Sequence, residues 1–286
     1  MTDRTLYATD LDGTLLGTDA RISHFTARTL ERLMDDGIYI TCATGRSWVT
    51  TQRVLGDFRF RLPMVLYDGT FTYDASRNLI LDQHLLSVHT TRSIIDLCQE
   101  NEIPPLLYGM DSADERMSWV MGISNPGLER FFASRESDPR NAPREHWNEL
   151  PTRGVFTIAA TGAQAAVHSL AGQIRAQVGD GCEVTVQQET YHSHDTWMTV
   201  VPRRVSKAAA LTRLARTLGI NQLVVFGDNL NDLSMFEVAD ASYAVANAKP
   251  AVRDAATAVI RSNSEDGVAR WLADNVWPVR KKLDGV

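Results

Sequence analysis

The sequence predicts an α/β fold in which a mainly parallel sheet is interrupted by an α+β insert. Strand and helix signals alternate over residues 1–70, a less regular pattern occupies the middle of the chain, and the alternation returns from Trp197. Strands separated by helices imply right-handed βαβ units in a parallel sheet. We therefore predict one discontinuous domain over residues 1–83 and 194–286, with the insert over residues 84–193.

The first segment begins with an apolar run that is typical of a short buried strand, over residues 6–9. Ser23 is a suitable N-cap for the helix that follows. Residues 38–43 and 64–67 are predicted as the second and third strands, with a helix ending at Leu55 between them. The apolar positions of the first helix fall on one face and are Phe25, Leu30, Leu33 and Met34.

The middle of the chain combines a hairpin with helices and strands. Strand signals at residues 71–73 and 79–81 flank a turn-forming run, which is typical of a hairpin. An amphipathic helix is predicted over residues 87–101, and residues 110–150 show little pattern and are expected to be irregular. A strand, a helix and a strand then follow within residues 155–187.

The last segment returns to the alternation of the first. Its predicted strands cover residues 197–201, 222–226, 243–245 and 259–260, and its predicted helices cover residues 206–218, 231–238 and 267–275.

The composition argues against several classes of protein. The 286 residues include 35 acidic and 29 basic side chains, a net charge of −6. Nucleic acid and anionic membrane surfaces both favour clustered Lys and Arg, so neither is expected as a partner. The three cysteines lie far apart, which suits a reducing compartment. No apolar run reaches the ~20 residues that span a bilayer, and no signal sequence is evident. We therefore expect a cytoplasmic protein. The sequence does not indicate its oligomeric state.

The first candidate site residues follow the first strand. Asp10 and Asp12 are two positions apart, so they share a side of an extended or tightly turned segment, and Gly13 permits a sharp turn. Two carboxylates this close repel each other unless a cation or a proton lies between them. The alternative is a surface Asp-Gly turn, but the whole string of residues 10–16 after a buried strand makes a functional site the better interpretation.

Two further signals also lie at predicted helix starts. Thr44 and Gly45, with Arg46, follow the second strand, where a hydroxyl and free N–H groups suit an anion. Lys207 follows Ser206 in the first turn of a helix, where a cation opposes the helix dipole unless an anion is bound. Each has a simpler alternative, which is a plain helix cap for the first and a solvated lysine for the second.

A fourth signal follows the strand at residues 222–226. Asp228 lies at the end of that strand, and Asp232 lies one helical turn further on. Magnesium is bound by one or two carboxylates while it keeps several waters and contacts substrate phosphate. The alternative is an Asx-rich helix start formed by Asn229 or Asn231. The second aspartate pair at a strand end favours the metal site.

Together these residues resemble the haloacid dehalogenase superfamily of aspartate-nucleophile phosphatases, in its Cof-like branch with a C2B-type cap. The four motifs occur in the order of that family, at residues 10–16, 44–46, 207 and 227–232. The resemblance covers essentially the whole chain. It implies a Rossmann-like three-layer core and, for residues 84–193, a cap that selects the substrate.

The resemblance also implies a role for each motif residue. Asp10 would be the nucleophile, and Asp12 would act as general acid and then as general base. Mg²⁺ would be held by the Asp10 carboxylate, Asp228 and the backbone carbonyl of Asp12. The substrate would be a small phosphorylated metabolite such as a sugar phosphate. The remaining assignments are Thr44, Gly45 and Lys207 for phosphate binding, with Asn231 and Asp232 supporting them.

Two departures from the family pattern stand out. Asp68 takes the place of a usual asparagine, and an extra carboxylate there could weaken anion binding or contact a substrate hydroxyl. Arg203 and Arg204 precede the lysine, where a glycine is usual, and they either face solvent or attract an anionic substrate. Two other functions are compatible with the motifs, namely a phosphomutase with the same nucleophile and a catalytically silent phosphate-binding module.

Overall fold

Two units make up the chain, which a computed structural model describes over residues 4–111, 114–188 and 196–276. The first unit comprises Met1–Gln83 and Val205–Val286, and the second comprises His84–Arg204. The predicted end of the insert, between residues 193 and 194, lies outside the described residues. The second unit continues past that point to Arg204.

The strands, in chain order, are β1 (Thr5–Thr9), β2 (Tyr39–Cys42), β3 (Met64–Leu66), β4 (Phe71–Asp74), β5 (Leu79–Gln83), β6 (Pro105–Asp111), β7 (Asp114–Ser118), β8 (Val155–Gly162), β9 (Glu183–Gln188), β10 (Thr196–Val201), β11 (Gln222–Gly227), β12 (Ala241–Val245) and β13 (Ala258–Ile260). The helices are α1 (His24–Asp35), α2 (Trp48–Leu55), α3 (Val88–Glu100), α4 (Pro126–Ala133), α5 (Gln164–Val178), α6 (Lys207–Thr217), α7 (Leu233–Val238), α8 (Pro250–Ala255) and α9 (Gly267–Asn275).

A parallel sheet forms the centre of the first unit. Its strand order is β13-β12-β11-β1-β2, and every neighbouring pair is parallel. Leu6, Ala8 and Val225 are fully buried, as expected where helices cover both faces of a sheet. Helix α1 packs on α9, and α6 packs on α7. These features confirm the predicted α/β class.

Helix α1 shows how local signals define the elements of the first unit. The Ser23 hydroxyl accepts a hydrogen bond from the backbone N–H of Thr26 at 3.0 Å and so caps the helix as predicted. Leu30 and Leu33 are buried, but Phe25 is exposed, so its assignment to the buried face was wrong. The guanidinium of Arg270 lies 4.7 Å from the Phe25 ring centre and covers it.

The third predicted strand, β3, was expected in the parallel sheet but pairs mainly with an antiparallel neighbour. Strand β3 joins the parallel arrangement through a single bridge between Ala43 and Val65. Its main pairing is antiparallel with β4, which in turn pairs with β5 in the predicted hairpin. The short turn at residues 67–69 sends the chain straight back along β3, so these strands form a separate three-stranded sheet.

The second unit has an antiparallel sheet with the order β7-β6-β8-β10-β9. Strand β10 pairs with β8 and β9, so the predicted strand at residues 197–201 lies in this unit and not in the first. Met198 and Val200 are buried in the core that this sheet forms with α3 and α5, while Trp197 and Thr199 alternate with them. Such alternation is typical of an antiparallel strand.

Residues 110–150 are more regular than the sequence pattern indicated. They include β7, which forms a hairpin with β6, and helix α4. Asn125 caps α4 by accepting from the backbone N–H of Leu128 at 3.0 Å, and Pro126 occupies its first turn. This Asn-Pro pair is a helix start that the sequence analysis overlooked.

The three cysteines are free and buried in the structure, in line with a reduced state. Among the described residues, no helix is both long and apolar enough to cross a membrane.

Candidate active site

The carboxyl ends of three strands bring the candidate residues together. Thr9 at the end of β1 is in register with Phe226 of β11 and with Cys42 of β2. The Asp10 N–H donates to the Phe226 carbonyl at 3.0 Å. The segments that follow these strands therefore start side by side at one edge of the sheet, where open α/β sheets bind ligands.

A tight helical turn over residues 11–15 carries the chain away from Asp10. Gly13 has a φ of 73°, in the left-handed region that favours glycine. A Cβ atom at this position would lie 2.5 Å from Oδ2 of Asp228. The Thr14 hydroxyl donates to Oδ1 of Asp228 at 2.9 Å. Gly13 thus allows the first and fourth motifs to come into direct contact.

Lys207 lies at the centre of the site and is 1% exposed. Its ammonium donates to Oδ1 of Asp10 at 2.5 Å and to Oδ1 of Asp232 at 2.7 Å. Hydrogen bonds between two charged groups are the strong ones, and burial removes the competition from water. Lys207 is therefore bound by carboxylates and is not the solvated lysine of the alternative interpretation.

Asp232 is fully buried and uses both carboxylate oxygens. Oδ1 accepts from Lys207, and Oδ2 accepts from the backbone N–H groups of Asp228 and Asn229 at 2.9 and 3.0 Å. A Cβ atom on Gly227 would lie 2.7 Å from this side chain, so only glycine fits there. Asp232 therefore joins Lys207 to the segment that carries Asp228.

The surroundings of Asp10 oppose its ionisation, chiefly because the side chain is buried. Burial raises the pKa of Asp10 from 3.8 to about 7, against the attraction of Lys207, and the charges of Asp232 and Asp228 act in the same direction as burial. Burial also raises the pKa of Asp228. For Lys207, burial lowers the pKa, but Asp10, Asp232 and Asp68 outweigh burial and raise it. The site thus holds more negative charge than Lys207 alone neutralises.

A divalent cation fits this charge distribution. One carboxylate oxygen each of Asp10, Asp228 and Asp232 lies within 4.8 Å of the others. Among the described residues, Oδ2 of Asp10 and Oδ2 of Asp228 accept no hydrogen bond, whereas both oxygens of Asp232 do, so Asp10 and Asp228 are the more accessible ligands. Carboxylate oxygens are the donors that hard cations prefer. The residues present therefore fit a metal ion.

The Asp12 side chain lies apart from this cluster. Its two oxygens accept from the Arg46 guanidinium at 2.5 and 2.6 Å, which makes a bidentate ion pair. The Asp12 side chain is 50% exposed. Arg46 was part of the second motif but had no predicted role. The structure places it as the direct partner of Asp12, at the exposed side of the site.

The other predicted residues lie around Asp68. Thr44 is buried, and its hydroxyl accepts from the Arg46 N–H at 3.2 Å. Gly45 faces the Asp68 carboxylate, which also accepts from the Asn231 amide at 3.0 Å. The Thr44 carbonyl accepts from the Asp68 N–H at 3.0 Å, so all three residues contact Asp68. Oδ1 of Asp68 is 3.8 Å from the Lys207 ammonium.

Arg203 and Arg204 belong to the second unit. Arg203 forms an ion pair with Asp180 of the same unit, and its side chain is half exposed. Arg204 is exposed and has a φ of 66°. Arg203 is thus occupied by a local carboxylate.

Two asparagines that the sequence analysis missed support the turn at residues 11–15. The Asn247 amide donates to the Gly13 carbonyl at 2.7 Å, and its oxygen accepts from the Asn263 N–H at 3.0 Å. The Asn263 amide donates to the Leu16 carbonyl at 2.8 Å. Two residues after Asn247, the N–H of Lys249 donates to the Asp228 carbonyl at 2.9 Å. The chain after β12 is thus hydrogen-bonded both to the turn that follows Asp10 and to the backbone of Asp228.

The site combines a buried aspartate with a buried lysine at the carboxyl edge of a parallel sheet. The chain belongs to the haloacid dehalogenase-like hydrolases, whose sequence pattern matches residues 7–272. The resemblance that the four motifs indicated is confirmed.

Curated relatives and solved structures match over nearly their whole length. 5-Amino-6-(5-phospho-D-ribitylamino)uracil phosphatase YitU of Bacillus subtilis is 26% identical, over 94% of this chain and 96% of the relative. Pyridoxal phosphate phosphatase YbhA of Escherichia coli is 26% identical, over 95% and 98%. The crystal structure of TM0651 from Thermotoga maritima has a TM-score of 0.79 at 25% identity, covering 96% of this chain and 97% of the other.

Proposed function

We propose that this chain is a Mg²⁺-dependent phosphatase that hydrolyses phosphomonoesters of small metabolites through a phosphorylated Asp10. The observation that carries this proposal is the buried Asp10 carboxylate, held 2.5 Å from the Lys207 ammonium at the end of β1. A nucleophile fixed beside a cation in a dry site is positioned for attack on a phosphoryl group. Membership of a hydrolase family supports the same conclusion.

The proposed reaction has two steps that share the same groups. An Asp10 oxygen forms a bond to phosphorus while the bond from phosphorus to the ester oxygen breaks, and Asp12 donates a proton to the leaving oxygen. Asp12 then takes a proton from water, which attacks phosphorus and releases Asp10. The exposed position of Asp12 lets it contact both the leaving group and water. Its ion pair with Arg46 positions the side chain in the free protein, and Asp12 would have to leave that pair and carry a proton before it donates to the leaving oxygen.

Charge neutralisation completes the mechanism. Asp10, Asp228 and the backbone carbonyl of Asp12 would hold the metal, and Mg²⁺ would neutralise charge on the transferring phosphoryl oxygens. Lys207, Thr44 and Gly45 would bind those oxygens. Asp232 keeps Lys207 in place through the contact at 2.7 Å, and we assign Asn231 to the support of the same site.

The substrate class is proposed from the substrates that the names of the curated relatives give. Curated relatives include the ribitylaminouracil phosphatase and pyridoxal phosphate phosphatase already described, and an HMP-PP phosphatase of Yersinia pestis. We propose a small phosphorylated metabolite, with sugar phosphates as the first class to test, and a cytoplasmic site of action. The second unit would act as the cap that selects among them.

Release of phosphate from a panel of esters tests this function. The panel contains hexose phosphates, pyridoxal phosphate and 5-amino-6-(5-phospho-D-ribitylamino)uracil, each with Mg²⁺ and with EDTA. We expect free phosphate from at least one ester and loss of nearly all turnover in EDTA. An isomerised hexose phosphate without free phosphate would identify a phosphomutase. Absence of turnover on every ester with Mg²⁺ would leave the phosphate-binding module as the better account.

The Asn247 contact leads to a second prediction. Asn247→Ala removes the hydrogen bond to the Gly13 carbonyl, so the turn that follows Asp12 is held less firmly. We expect kcat to fall about tenfold, because small displacements of catalytic groups are costly, and the free energy of unfolding to fall by about 1 kcal/mol. Asn275→Ala is the control, since its amide donates to the Trp271 carbonyl of the same helix, α9. Equal kcat values for the two variants would contradict the prediction.

A further inference from the structure

The Asp68 carboxylate lies among the groups that we assign to phosphate binding. Oδ1 accepts from the Asn231 amide at 3.0 Å and lies 3.8 Å from the Lys207 ammonium. Oδ2 would be 3.0 Å from a Cβ atom on Gly45, so it packs directly against that glycine. Both oxygens therefore face the same residues that a phosphoryl group would need.

The backbone fixes Asp68 in this position. The N–H of Tyr67 donates to the Arg46 carbonyl at 3.1 Å, and the N–H of Asp68 donates to the Thr44 carbonyl at 3.0 Å. Tyr67 and Asp68 have φ values of 48° and 51°, in the left-handed region that few residues other than glycine adopt. Two successive residues in this conformation are unfavourable, and the hydrogen bonds to residues 44–46 maintain them.

Within the described part of the chain, Lys207 has one N–H donor left for a ligand. A lysine ammonium has three N–H groups, and two of them bind Asp10 and Asp232. The third carboxylate near the ammonium is that of Asp68, which is too far for a good hydrogen bond but close enough for attraction. Asp68 is thus the third carboxylate beside the ammonium, at 3.8 Å, and would compete with an incoming anion for it.

We propose that the Asp68 carboxylate is an internal competitor of phosphate, which lowers the affinity of the site for the phosphoryl group and for the phosphate product. The proposal rests on the function proposed above, because that function assigns Lys207 and Gly45 to phosphate and Asn231 to the support of the same site. Asp68 attracts the same cation and accepts from the same amide that an anion would use, and it repels the anion itself. The half-exposed Asp68 side chain has room to turn away when phosphate binds.

The proposed competition depends on the negative charge at position 68. Asn has nearly the same shape as Asp and tolerates the left-handed region well, so Asp68→Asn preserves the turn while it removes the charge. The amide also adds a donor beside the anion. We expect the variant to bind inorganic phosphate about tenfold more tightly than the wild type, since one like charge has been removed at short range.

The test measures the dissociation constant of inorganic phosphate by calorimetry, with Mg²⁺ present, for the wild type, Asp68→Asn and Asp57→Asn. Asp57 is exposed and follows the C-terminal end of α2, whereas the N-terminal end of α2 lies at the site. Asp57→Asn therefore makes the same change of charge away from the phosphate-binding residues. We expect a tenfold lower constant for Asp68→Asn only. Equal or weaker binding by Asp68→Asn overturns the proposal, as does an equal gain in the Asp57→Asn variant.

Turnover measured on the same preparations separates this proposal from the proposed function. Ester hydrolysis by the wild type, without a change of phosphate affinity in Asp68→Asn, would refute only the role of Asp68. Tighter phosphate binding by Asp68→Asn, without turnover by any of the proteins, would refute the phosphatase and leave the competitor in place.

Discussion

Asp10→Asn is expected to abolish phosphate release, with kcat at least about 10³-fold below that of the wild type. The reason is that the Asp10 oxygen forms the bond to phosphorus, and an amide oxygen is a far weaker nucleophile. The contact with Lys207 at 2.5 Å would keep an Asn side chain in the same place, so the loss would reflect chemistry and not position. Phosphate release under saturating substrate and Mg²⁺ measures this effect.

Stability distinguishes this loss of activity from a folding defect. Burial raises the pKa of Asp10 to about 7, so the ionised carboxylate is unfavourable in the metal-free protein and a neutral Asn is tolerated. We expect the thermal midpoint of Asp10→Asn in EDTA to equal or exceed that of the wild type. Acid-quenched wild type should also carry phosphate on the peptide that contains Asp10, and the variant should not. A variant that keeps a tenth of wild-type kcat would show that another group is the nucleophile.

The parts of the site that could be predicted are those encoded by short segments. Asp10 and Asp228 each follow a buried apolar strand directly, and the carboxyl ends of parallel strands meet at one edge. Lys207 opposes a helix dipole, which is a local signal for a nearby anion. The structure brings Asp10, Lys207 and Asp232 into direct contact, and their catalytic roles stay proposals.

The remaining contacts could not be predicted because they join distant segments. Asn247 and Gly13 are 234 positions apart, and no local pattern marks an amide that contacts a backbone carbonyl. Arg46 was visible in its motif, but its pairing with Asp12 depends on how two turns are placed. Strand β10 was assigned to the wrong unit because a short apolar strand does not reveal its partners. Pairing partners, unlike strand positions, are properties of the whole fold.

Lys207→Met is expected to cause a large loss of stability and to remove activity as well. Lys207 is 1% exposed and neutralises Asp10 and Asp232, which are themselves buried. Removal of one partner of a buried ion pair leaves unpaired charge, which costs about 3–5 kcal/mol. Chemical unfolding in EDTA measures this cost. Added Mg²⁺ should recover part of it, because the metal restores positive charge beside Asp10.

The dependence on pH identifies the cause of that loss. The folded-state pKa of Asp10 is already raised from 3.8 to about 7. The contribution of Asp10 to the free energy of unfolding is therefore fully present below pH 3.8 and is lost as the pH rises through about 7. Without Lys207, which lowers the pKa of Asp10, this loss should continue to higher pH in EDTA. Lys249→Met is the matched control, because its side chain is exposed and such changes stay within about 0.5 kcal/mol.

A double variant completes the test of Lys207. Lys207→Met combined with Asp232→Asn removes a positive and a negative charge together, so the penalty of an unpaired carboxylate becomes smaller. We expect the double variant to be more stable in EDTA than Lys207→Met alone, although it still lacks activity. If the two variants are equally unstable at every pH, the loss comes from the packing of the lysine side chain, and the charge balance of the buried group does not control the stability of this site.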